Sequence, residues 1–245
     1  MNEDVMPLSW AIQAIADQAV NIDFGEVIDA QVNQRVTSLA AAIRQQNIAG
    51  VTGCIPTYRS LTVTYDSVVI RQRELIQAVE LLLNTDVLHT PPRKCWLIPA
   101  CYGGDYGIDL ASSATTLGLT PAELIEIHSA QPYRIYMIGF MPGFAYLGGL
   151  DPRLHLARRT SPRQEVPGGS ISIGGVQSAI GSVAAPSGWH LLARTPVKSF
   201  DPQREQPFLF NAGEEVRFIP VSEHDYQGRY SPINTTSLNG ACCHE

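Results

Sequence analysis

Lysine is nearly missing from this 245-residue chain: of seventeen basic residues only Lys94 and Lys198 are lysine. Recognition of an anion would therefore fall to arginine, whose planar fork suits phosphate and carboxylate. Positive charge is short overall. Seventeen Lys and Arg against twenty-three Asp and Glu leave a formal charge of -6, the wrong sign for general nucleic-acid binding, which rests on neutralising phosphates. No run of eighteen or more apolar residues occurs, so no membrane span and no membrane partner are expected. Glu3 and Asp4 stand where a secretory signal would carry basic residues. The cysteines Cys54, Cys95, Cys101, Cys242 and Cys243 are odd in number and lack C-x-x-C spacing, which fits thiols in a reducing compartment, and the cytoplasm is expected. A G-K-[ST] triplet is also missing. Nucleotide binding would then need a geometry other than the Walker loop, or a partner chain.

What is present is material for cores, with 44% hydrophobic residues in a length that suits two modest domains. Val20, Ile22 and Phe24 alternate as a half-buried strand does, and so do Leu61, Val63 and Tyr65. Val32, Val36, Leu39, Ala40 and Ile43 recur at helical spacing, as do Leu75, Ile76, Val79, Leu82 and Leu83. Residues 1–92 thus read as a small α+β domain, ending at the linker Thr90-Pro91-Pro92-Arg93. Residues 93–226 change texture to short apolar runs broken by Gly and Pro, at 96–99, 134–140, 170–173, 190–193 and 216–220, which indicates a β-barrel or sandwich. One helix is expected among them. Thr120-Pro121-Ala122-Glu123 combines an N-cap hydroxyl, proline at the first helical position and a reciprocating glutamate, so 121–129 is helical. Residues 227–245 show little periodicity and read as a flexible tail. Cys242-Cys243-His244 offers metal-binding types, but adjacent cysteines chelate poorly and no metal site is expected.

The densest chemical feature is Arg153, Arg158, Arg159 and Arg163, four arginines held between prolines. They suit either an anion clamp or ion pairs on a solvated loop. His128 projects from the apolar face of the expected helix with Leu124 and Ile125, a position that fits a satisfied core histidine as well as a catalyst. No Ser-His-Asp arrangement follows from the spacing. The stretch from Gly139 to Phe144, continuing to Tyr146, sets aromatic rings on a tightly turning backbone, able to wall a pocket or plug a core, and Ser187-Gly188-Trp189 is similar.

These motifs together carry a family resemblance. Leu124-Ile125-Glu126-Ile127-His128-Ser129, the run from Gly139 to Gly148, Arg158-Arg159-Thr160-Ser161-Pro162-Arg163, Val166-Pro167-Gly168-Gly169-Ser170, Pro186-Ser187-Gly188-Trp189, Arg194-Thr195-Pro196 and Phe200-Asp201-Pro202 occur in order. They resemble the family that holds the B-type component of bacterial 5-oxoprolinase, the kinase inhibitor KipI and allophanate hydrolase subunit 1, over roughly residues 10–222.

The resemblance implies a small α+β N-terminal domain followed by a cyclophilin-like β-barrel. It implies partnership with a C-type and an A-type subunit in an assembly that uses ATP, with Mg as its counter-ion, to open the lactam of 5-oxoproline to glutamate. Regulation of a sensor kinase and hydrolysis of allophanate are the alternatives within the family. It also implies His128 and Arg163 as catalytic residues, with Arg158, Arg159, Phe140, Gly143, Phe144, Gln177, Trp189 and Arg194 contacting substrate or phosphate. The arginines and His128 should then face one pocket with Phe140. One departure stands out: where the family usually has a tyrosine and a proline, this chain has Gly181 and Ser182, which should widen that wall of the pocket.

Overall fold

The computed structural model describes residues 10–84 and 94–228. The chain divides into two compact units, residues 1–92 and 93–245. The linker at 90–93 and Cys242-Cys243-His244 lie outside the described residues.

The first unit is β1 (Ala11–Ala16), β2 (Ala19–Asp23), α1 (Ala30–Gln46), β3 (Val51–Pro56), β4 (Ser60–Tyr65) and α2 (Gln72–Leu83). Its antiparallel sheet has the order β1-β2-β4-β3. Both alternating runs and both helical stripes read from sequence meet in one core, where Ile22, Leu61, Leu39 and Leu75 are fully buried. Helix α1 starts because the Asp29 carboxylate accepts the orphaned N–H groups of Gln31 and Val32, and it stops at Asn47, whose left-handed φ of 47° short side chains tolerate.

The second unit contains β5 (Cys95–Tyr102), α3 (Leu110–Leu117), α4 (Pro121–Ser129), β6 (Tyr133–Ile138), β7 (Ala145–Gly148), β8 (Arg163–Val166), β9 (Ser170–Gly174), β10 (Gln177–Ile180), β11 (Ala185–Ser187), β12 (His190–Arg194), β13 (Glu215–Pro220) and α5 (Glu223–Gly228). Seven strands close a barrel in the order β10-β7-β6-β13-β5-β12-β9, and β8 and β11 form a separate two-stranded ribbon. The fold is α+β with a closed barrel, as the resemblance implies. The single helix expected here is joined by two more. Helix α3 reads Leu-Ala-Ser-Ser-Ala-Thr-Thr-Leu, a composition that looks like a loop, yet Ser112, Thr115 and Thr116 turn their hydroxyls back onto carbonyls of the preceding turn. Helix α5 runs to Gly228, past the residue where the tail was expected to begin, and the rest of that tail lies outside the described residues. Among the described residues no helix is long and apolar enough to cross a membrane.

Candidate functional site

The outer flank of the barrel is lined by unusually small side chains. Ile171 and Ile173 of β9 point into the core, so Ser170, Ser172 and Gly174 face outward. Across the ladder Ser172 pairs with Ala179 and Ala179 with Tyr146. The β8–β11 ribbon lies over this surface and leaves a narrow groove, open on one side. Ser170, Ser172 and Gly181 contribute to its lining, with Val166 and Pro186 from the ribbon side and Phe140 and Phe144 from the loop after β6. None of the lining residues is charged.

Phe140 holds φ at 66°, a left-handed conformation costly for a bulky residue, and its side chain is 61% exposed. A tight turn imposes this: Gly139 N–H donates to the Phe144 carbonyl and Phe144 N–H to that of Met141. Gly143 is required at φ 76°, where a Cβ would come within 2.6 Å of the Phe200 Cβ. From Phe140 an aromatic file runs through Phe144, Tyr146 and Trp189 at centroid spacings of 5.6, 4.8 and 6.1 Å. It ends on the Arg158 guanidinium, 5.6 Å over the Trp189 ring.

Arg159 and Arg163 go elsewhere. Arg163 forks onto both carboxylate oxygens of Asp109 at 2.7 and 2.8 Å, and Arg159 donates to the same carboxylate at 3.3 Å. Leu191 N–H completes its shell at 2.8 Å. Burial alone would raise the Asp109 carboxyl, but the hydrogen bonds from Arg163 and Leu191 and the two arginine charges outweigh that and hold it below its ordinary value.

His128 lies apart from both, wholly buried inside the barrel. Its ring stacks on Phe218 at 4.9 Å, its Nδ1 meets the Tyr102 hydroxyl at 2.8 Å, and its Nε2 meets Ser178 Oγ at 3.2 Å. Burial pushes its pKa down to about 3. The unfolded chain takes up that proton from about pH 6.5 downward while the folded ring resists it, so this residue lowers stability as acid is added across that window.

Residues 10–210 match the family described as carboxyltransferase domain, subdomain C and D. This chain belongs to that family. The B-type component of 5-oxoprolinase from Bacillus subtilis is 38% identical to this carboxyltransferase subdomain C and D chain, the match covering 90% of the present chain and 97% of that one. The protein of the same name from Escherichia coli O157:H7 is 34% identical, with 85% and 95% covered. The crystal structure of TTHA0988 superposes with a TM-score of 0.76 at 32% identity, covering 84% of this chain. This chain spans only about 40% of TTHA0988.

Within this carboxyltransferase subdomain C and D chain, the residues expected to share one pocket are spread over several places. Phe140 and Phe144 wall the groove, with Gly143 setting their turn; Trp189 and Arg158 end the aromatic file; Arg159 and Arg163 are bound to Asp109. His128 is separated from the arginines because its helix presents it to the barrel interior. Gln177 opens β10 opposite Gly174, outside the groove lining, and Arg194 sits over Tyr106 while donating to the Asp105 carbonyl. Gly181 lines the groove, and a Cβ there would meet only Ser170 backbone atoms, the carbonyl oxygen nearest at an ordinary 3.5 Å. Asp109 was not legible in the sequence; its partners lie fifty and more residues away, and the surrounding Gly-Ile-Asp-Leu has no distinguishing pattern.

Proposed function

We propose that this chain is the B-type component of an ATP-dependent 5-oxoprolinase, a lactam hydrolase completed by A-type and C-type subunits. The observation that carries this is the nearly end-to-end match to two proteins of that name. The groove agrees with it in chemistry. An amide resists water through resonance, and phosphorylating its oxygen supplies a leaving group and makes the carbon electrophilic. The uncharged lining, apolar walls over serines, supports the reading for the lactam ring alone; the carboxylate of 5-oxoproline needs a cation from outside the groove. The described residues contain no cluster able to hold a metal ion, and the ATP and its Mg are assigned to the assembled complex. Purified alone, the chain should show no 5-oxoproline-dependent ATP hydrolysis, and mixing with both partner subunits should restore it. Turnover by the lone chain, or none by the full mixture, would sink the reading.

Within the cluster from Arg153 to Arg163, Arg158 is the arginine left for an anion, because among the described residues Arg153 pairs with Asp151 and Arg159 and Arg163 pair with Asp109. Arg158→Ala should weaken 5-oxoproline or ATP binding to the complex by about 1.5–3 kcal/mol, the worth of a hydrogen bond to a charged group. Arg158→Lys should not rescue it, because lysine keeps the charge and loses the fork. Calorimetric affinities of the two variants check this; unchanged values in both would return Arg158 to the solvated surface.

A further inference from the structure

The buried polar thread from Tyr102 through His128 to Ser178 runs in one direction, and donor counting gives that direction. Ser178 Oγ donates its only proton to the Ser172 carbonyl at 3.2 Å. Toward His128 the same oxygen can then only accept, so the contact at 3.2 Å requires the ring proton on Nε2. Nδ1 is left bare and receives the Tyr102 hydroxyl proton at 2.8 Å. The thread therefore reads Tyr102 to His128 to Ser178 to the Ser172 carbonyl, each group donating to the next.

Its far end matters for the groove. The pairing of β12 with β9 slips register between Leu191 and Ala193, opposite Ser172, and there the Ser178 hydroxyl supplies a hydrogen bond to the Ser172 carbonyl. Ser172 also lines the groove. The thread thus ties α4 and β5, on the inside, to a strand whose outer face is the groove floor. Other titratable groups facing the ring are Tyr102 and Tyr133, and burial raises the pKa of both, so no charge approaches His128 from β5 or β6. Tyr133 instead donates to the His128 carbonyl at 2.9 Å, holding the last turn of α4.

We infer that His128 is a positioning residue: acting through Ser178 it fixes the Ser172 carbonyl and so the floor of the groove, and it neither takes nor gives a proton during turnover. This replaces the proton-transfer role implied by family resemblance. The part concerning turnover rests on the 5-oxoprolinase reading; the part concerning the ring does not.

Two measurements decide it. In the full-length chain alone, long-range proton–nitrogen correlation of the His128 ring should show one neutral Nε2–H tautomer, unchanged from about pH 5 to about pH 8. An Nδ1–H tautomer, or protonation inside that window, overturns the assignment whatever the substrate. In the complex with A-type and C-type subunits, His128→Gln keeps a donor in place of Nε2–H but cannot serve as a base. It should raise KM for 5-oxoproline about 10-fold, keep kcat within about 3-fold and leave the acid limb of the pH profile where it was. A fall in kcat of about 10²–10⁴, the usual worth of general acid–base catalysis, or a moved acid limb, overturns it. Ser178→Ala, which adds no bulk, should repeat the KM rise at constant kcat, and an unchanged KM in this variant also overturns the proposal. If the wild-type complex fails to use 5-oxoproline, the functional reading falls while the tautomer measurement still decides the role of the ring.

Discussion

Asp109→Ala should cost the fold about 3 kcal/mol, read as a lowered denaturant midpoint at unchanged slope. The carboxylate is only 6% exposed, and its removal strands two guanidinium groups that are 23% and 30% exposed. Breaking a buried pair by removing one partner costs roughly 3–5 kcal/mol, and partial exposure of the arginines puts this case at the lower end. The effect should have a pH signature. Because the folded carboxyl is held below 3.8, the unfolded chain takes the proton first as acid is added. The stabilisation is full above about pH 5 and is lost as the pH falls through the folded value, so the wild type and Asp109→Ala should converge in acid. A difference under about 0.5 kcal/mol at neutral pH would mean that the arginine pairs are mere surface contacts.

Gly107→Ala should be comparably damaging, on the order of 3 kcal/mol or more. A Cβ there would lie 1.9 Å from the Leu192 carbonyl oxygen and 2.7 Å from the Gly103 nitrogen. These are backbone atoms, which cannot swing aside as the end of a side chain can. They are also joined to each other, Gly103 N–H donating to the Leu192 carbonyl at 3.1 Å. Making room for a methyl group must therefore part β12 from the loop leading to Asp109. Gly181→Ala is the control, since its nearest contact would be an ordinary 3.5 Å; it should change stability by no more than about 0.5 kcal/mol. Equal melting shifts in the two variants would discard the close-approach explanation. Gly107 and Asp109 share the Leu191–Leu192 segment, so their costs should not add when combined.

Local periodicity was enough for β2, β4, α1 and α2, which bury continuous stripes, so that Val36 or Leu61 needs no distant partner to declare its side; β1 and β3 bury no residue fully and were not read. The capping box at Thr120 and Glu123 was legible for the same reason, all its hydrogen bonds closing within four residues. Helix α3 was not: its stripe of Leu110, Ala114 and Leu117 is only two turns long and is interleaved with serines and threonines that bond backbone carbonyls of the preceding turn. The arginine cluster could be seen but not interpreted: an ion-pair role and an anion-site role differ only in whether a distant carboxylate reaches it, and Asp109 does so for Arg159 and Arg163 but not for Arg158. His128 was rightly placed on an apolar face. What that face enters, a closed barrel in which Ser178 waits fifty residues later, depends on strand order that no local pattern encodes.

Barrel closure has a consequence for how the molecule is made. Strand β13 lies parallel to β5, with Glu215 beside Cys95 and Pro220 beside Ala100, and it also pairs with β6. The first and last strands of the barrel are thus neighbours. A chain emerging from the ribosome can finish its N-terminal sheet from strands close in sequence, but it must leave the facing edges of β5 and β6 bare until residues 215–220 appear. For most of the time spent synthesising the second unit, the nascent chain carries two open, largely apolar strand edges. That interval, rather than any weakness of the finished barrel, is when this protein is most exposed to mispairing with another copy of itself.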